Sequence, residues 1–124
     1  MNTLQENCTT FRKWCEAQLS EIEEMEIQKD NNSYEAPHDL MLLQGKRRVL
    51  EYFIGHHKFH AKRYRNPLAE DLESASSMVE TARMKLEEHR AKKKVHGHLT
   101  LKHAKTVGEY SMLCDIERKL LSLE

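Results

Sequence analysis

The sequence predicts an all-α protein: a small antiparallel helical bundle of about four helices, self-sufficient or completed by dimerisation. Three observations lead there. Glycine and proline are scarce, four and two in 124 residues, so the chain lacks the punctuation of a β-sandwich. Charged residues make up 32% and hydrophobic residues 39%, a balance that suits amphipathic helices with one solvated face. Apolar residues recur at gaps of three and four over long stretches, the period of a helix rather than the alternation of a strand. The length leaves room for a single helical domain over 1–124 with a modest core.

The first helix is expected over about 3–27, because Leu4, Cys8, Phe11, Cys15, Leu19 and Ile22 form one apolar stripe and Trp14 widens it. Glu21, Glu23, Glu24 and Glu26 crowd its C-terminal end, where negative charge opposes the helix dipole. That conflict calls for a basic neighbour, either a cationic stretch of the same chain or a partner. Residues 29–37 are polar, rich in turn formers and closed by Pro37, and read as a reversal.

A second helix is expected over about 38–63, turning Leu40, Leu43, Val49 or Leu50, Phe53 and Ile54 inward. Gly45 and Gly55 each cost about 1 kcal/mol relative to alanine in a helix, which predicts a break or kink at one of them. Asn66-Pro67 is a start signal, a capping side chain followed by a residue with no amide hydrogen to satisfy. The third helix, 67–95, carries the cleanest pattern: Leu68, Leu72, Ala75, Val79, Ala82 and Leu86 make a heptad seam. Its two alanines allow a facing helix to come close, whether from the same chain or a second copy. Gly97 closes this helix. The fourth, over about 100–122, runs to near the C-terminus through Ala104, Val107, Tyr110, Leu113, Cys114, Ile116, Leu120 and Leu123, with Gly108 as its weak point.

Twenty Lys and Arg balance twenty Asp and Glu to a net charge of zero, yet the signs are sorted along the chain. Lys46, Arg47, Arg48, Lys58, Lys62, Arg63 and Arg65 form one basic block, interrupted only by Glu51. Arg90, Lys92, Lys93, Lys94, Lys102 and Lys105 form a second block with no acid among them. Net neutrality excludes a protein that coats nucleic acid with its whole surface but leaves a local contact open. Each block lies near a predicted helix C-terminus, where cations also complement the dipole. In an up-down bundle the ends of helices two and three point to opposite poles, so the blocks are expected to stay apart.

Tyr52, Phe59 and Tyr64 interleave with the first block. Rings among cations suit two partners: the acidic surface of a protein, with an aromatic anchor, or nucleic acid, with phosphate contact and base stacking. The expected binding residues are accordingly Lys46, Arg47, Arg48, Tyr52, Lys58, Phe59, Lys62, Arg63, Tyr64 and Arg65, with Arg90, Lys92, Lys93 and Lys94 from the second block.

No nucleophile elbow, phosphate loop, dinucleotide fingerprint or paired-carboxylate signature is present, and an enzyme is not expected. Cys8, Cys15 and Cys114 have no CxxC or zinc-finger spacing and read as reduced thiols packed in the core. His56 and His60, four residues apart, have the spacing of two helix-borne metal ligands. Lys58, Lys62 and Arg63 would repel the cation, however, and these imidazoles read as partly exposed additions to the basic surface. His96-Gly97-His98, with His103 nearby, is a second chelate-like spacing. No metal and no cofactor are expected. The N-terminus has no signal-peptide pattern and no apolar run approaches a bilayer span of about 20 residues, which places the chain in the cytoplasm. The sequence thus leads to a small non-catalytic binding protein, a regulator, inhibitor or assembly subunit docking charged helical surfaces onto a protein partner. Its rival is a nucleic-acid-binding accessory protein contacting phosphates through 46–65 and 90–105.

Overall fold

A computed structural model of the chain describes residues 2–31, 36–96 and 101–124, with side chains over 2–28, 37–92 and 101–124. Among these residues there are four helices and no strand: α1 (Leu4–Asn31), α2 (Ala36–Arg63), α3 (Pro67–His96) and α4 (Leu101–Ser122). They pack as a helical bundle. Contacts between Phe11 and His57, His57 and Asp71, and His89 and His103 show each helix running antiparallel to the one before it. No described helix is long and apolar enough to cross a membrane.

The helix starts follow local chemistry. Thr3 caps α1 by accepting a hydrogen bond from the Glu6 amide at 3.1 Å on its hydroxyl oxygen. Asn66 caps α3 in the same way, its side-chain oxygen accepting the Ala69 amide at 3.2 Å, with Pro67 at the first helical position. The connection between α2 and α3 is only Tyr64, Arg65 and Asn66. α1 continues about a turn beyond the predicted end, through Asn31.

The core takes Phe11, Cys15 and Ile22 from α1, Leu43, Val49, Leu50 and Phe53 from α2, Leu68, Ala75 and Ala82 from α3, and Met112, Leu113, Ile116 and Leu120 from α4. The α3 seam is therefore buried against the protein's own helices. Leu4, at the start of the expected α1 stripe, is instead exposed, lying at the end of the helix where no neighbour covers it.

The expected interruption of α2 does not take the form of a break. The helix is continuous through Gly45 and Gly55, as α4 is through Gly108. Two of these glycines permit a close approach of backbones: a Cβ on Gly45 would collide with the carbonyl oxygen of Lys105, and one on Gly108 with the carbonyl oxygen of Leu42. A Cβ on Gly55 would meet nothing within 4 Å. α2 and α4 thus cross main chain against main chain, a distance only glycine allows.

Candidate functional site

The acidic end of α1 finds its basic neighbour within the chain. Arg47 reaches from α2 to Glu23 at 3.4 Å and Glu26 at 3.3 Å, and along its own helix to Glu51 at 2.9 Å. The carboxylate of Glu26, then those of Glu51 and Glu23, hold the guanidinium above its ordinary pKa. Arg47, one of the expected partner-binding residues, is occupied in docking α1 onto α2.

The histidines of α2 are arranged otherwise than their sequence suggests. His57 and His60 are not part of the basic surface: they are 4% and 8% exposed, and both face Asp71 of α3, which is fully buried. Nδ1–H of His57 donates to Oδ2 of Asp71 at 2.7 Å and Nδ1–H of His60 to Oδ1 at 2.8 Å. A carboxylate only accepts, so both rings must carry their proton on Nδ1. The triad fastens the end of α2 to the start of α3 across their short connection, and Phe11 of α1 packs edge-on against His57 at 5.5 Å. Burial, then the nearby Asp71 charge, pushes the Cys15 thiol up to about 12 and raises that of Cys8 as well. These thiols stay protonated at neutral pH, and the site beside Asp71 lacks a thiolate nucleophile.

The chelate-like pair is divided by the same arrangement. His60 points its Nδ1 at Asp71, while His56 stacks on Tyr52 with ring centroids 3.9 Å apart. Among the described residues, no group of three or more His, Cys, Asp or Glu is placed to hold a metal ion. His96, Gly97 and His98 lie outside the described side chains, as do Lys93 and Lys94.

The locked end of α2 presents a basic and aromatic surface. Phe59 and Tyr64 are 47% and 46% exposed. The Arg63 guanidinium lies over the Phe59 ring at 4.5 Å, and Tyr64 meets His60 edge-on at 5.6 Å. Lys58, Lys62 and Arg65 are exposed beside them, and none forms an ion pair with a described residue.

The first basic block does not stay together. The twenty residues from Lys46 to Arg65, most of them helical, extend for about 27 Å, so Lys58–Arg65 sit at one pole while Lys46–Arg48 lie more than half of the way to the other. There Arg48 joins the second block, contrary to the expectation that the blocks remain apart. A cleft of about 560 Å³ between α2, α3 and α4 is lined by Arg48, Lys85, Lys92, Lys102 and Lys105, against Glu88 and Glu109. The antiparallel course explains the meeting: the early part of α2, the late part of α3 and the start of α4 share one end of the bundle. His89 lines this cleft and its Nδ1 lies 3.1 Å from Nδ1 of His103, so one ring donates to the other. Tyr52, Val49 and Met78 line it too. Of the remaining expected residues, Lys46 is half-buried on α2 and Arg90 exposed on α3.

Among the described residues, fold and site together define an all-α bundle with a buried histidine–carboxylate lock and two separate cationic surfaces. Compared with protein-family models, with curated proteins and with solved structures, the chain matches none of them.

Proposed function

We propose that the protein is a small, non-catalytic binding protein of the cytoplasm, a regulator, inhibitor or assembly subunit, that docks onto an acidic protein surface through the end of α2 and the turn after it. The observation that carries this reading is the pair of exposed rings, Phe59 and Tyr64, set among Arg63, Lys58, Lys62 and Arg65 on a helix end held by Asp71. Aromatic residues and arginine supply most of the energy at protein interfaces, provided they are held in place before binding. Unpaired cations around them speed encounter with an acidic partner and reject basic ones.

Affinity purification of the intact chain from its native cell, with and without nuclease, tests this reading. Phe59→Ala with Tyr64→Ala, and separately Lys58→Glu with Lys62→Glu, are compared with the wild type. A partner retained after nuclease and lost with both variants supports protein docking; partners that vanish on nuclease treatment would replace it with nucleic-acid contact.

A further inference from the structure

We propose that the cleft between α2, α3 and α4 binds a nucleotide-class ligand, a planar apolar head carrying two or more linked phosphates. This site is distinct from the docking surface proposed above, and the two readings stand or fall separately. Five cations from three helices line the cleft against two carboxylates. Only one of those cations, Lys92, is paired, to Glu88 at 3.5 Å along its own helix. Arg48, Lys85, Lys102 and Lys105 converge without a carboxylate in ion-pair reach among the described residues.

Such a concentration of like charge is unfavourable in the empty protein and is relieved by a polyanion. Lys102 adds to the conflict, because it stands in the first turn of α4, which contains no acid. A helix start favours negative charge, so the dipole of α4 and Lys102 both attract an anion to this end of the cleft. His89, with His103 behind it, supplies a further ring nitrogen at the same end.

The shape sets the ligand's second half. The lining runs along α3 from Met78 to Lys92, about 21 Å at the rise of a helix, too long for a lone phosphate. Lys85, Lys92, Lys102 and Lys105 come from the later part of α3 and the start of α4, whereas Val49, Met78 and Tyr52 add apolar surface beside Arg48. Tyr52 is exposed and braced by His56 stacked on its ring, a platform on which a planar head can rest. A volume of about 560 Å³ falls in the range of small-molecule sites.

The test is titration calorimetry of the full chain at low ionic strength with ATP, inorganic tripolyphosphate and adenosine, and with a short single-stranded oligonucleotide as competitor. ATP is expected to bind more tightly than tripolyphosphate, and adenosine weakest of the three. Lys102→Ala with Lys105→Ala should weaken ATP roughly tenfold or more, Tyr52→Ala should bring ATP and tripolyphosphate to similar affinity, and Arg12→Ala with Lys13→Ala, exposed near the start of α1 at the far pole, should leave ATP affinity unchanged. Circular dichroism melts confirm that each variant is folded. Absence of ATP binding, equal affinity for ATP and tripolyphosphate in the wild type, an equal loss from the far-pole variant, or an oligonucleotide that binds the cleft more tightly than ATP would each overturn the proposal.

Discussion

Gly45 of α2 rests against the carbonyl oxygen of Lys105 in α4, so closely that a single added methyl group could not be accommodated beside it. Gly108 makes the reciprocal contact with Leu42. Two of the three residues that helix propensity marks as weak points are the points at which the two backbones touch.

Alanine at either position should therefore lower stability by about 1–3 kcal/mol, the range for forcing extra volume into a packed interface. The obstacle is backbone on both sides, and backbone cannot swing away as a flexible side chain would. Gly55→Ala should act in the opposite direction and add up to about 1 kcal/mol, since its Cβ would stand in open space and the helix gains propensity. Urea denaturation of the three variants separates these outcomes, and a uniform gain across all three would contradict the close crossing.

The contrast shows what was legible in the sequence. The four helices and most of their inward residues follow from local periodicity, and the α3 start from Asn66-Pro67, because capping and amphipathicity are local. Gly45 and Gly108 are not interpretable in this way: propensity gives their cost, but the compensating contact joins positions sixty or more residues apart. The same holds for Asp71, whose place near the start of α3 suggests a solvated dipole partner until the short turn folds it against His57 and His60. A signal was present even so. With a three-residue connection centred on Arg65, residues equidistant on either side tend to meet, and His57, His60 and Asp71 nearly satisfy that rule. The splitting of the first basic block likewise follows from helix length alone, whereas its junction with the second requires knowing which helices share an end.

Removing the carboxylate from the buried triad should be costly. Asp71→Ala leaves two imidazoles without their acceptor in a site that is almost free of solvent, and a loss of about 3 kcal/mol is expected. Replacing Asp71, His57 and His60 together with apolar residues of similar volume should recover much of that loss, because no buried polar group is then unpartnered. Thermal melts of the single and triple variants check this, and a triple variant as unstable as the single would mean the triad contributes more than satisfied polarity.

Arg47 offers a test of how α1 is held. Its side chain is 40% exposed, so solvent screens the pairs with Glu23 and Glu26, and Arg47→Ala should cost only about 0.5–1 kcal/mol. Arg47→Glu should cost more by adding repulsion, and combining it with Glu23→Lys and Glu26→Lys should restore most of the loss. Both effects should shrink as salt is raised. Chemical denaturation at two salt concentrations reads all three, and a charge-swapped protein no more stable than Arg47→Glu would show that α1 is held without this network.

Cys15 gives a dependence on alkaline pH whose sign is fixed by its surroundings. Burial, followed by the charge of Asp71, moves its thiol from 9.0 up to about 12 in the folded protein. Between those values the unfolded chain releases a proton that the folded chain keeps. Stability should therefore fall as pH rises from about 9 toward 12, by no more than about 1.4 kcal/mol per unit, and this thiol should add no slope at lower pH. Lysines and tyrosines also titrate in that range, so the diagnostic quantity is the difference in slope between wild type and Cys15→Ala, which should be shallower. In labelling with a thiol reagent at neutral pH, Cys8 and Cys114, both half-buried, should react ahead of Cys15, whose modification should proceed at the rate of unfolding. Equal slopes together with equal labelling rates would place Cys15 in contact with solvent, against its burial in the core with Phe11.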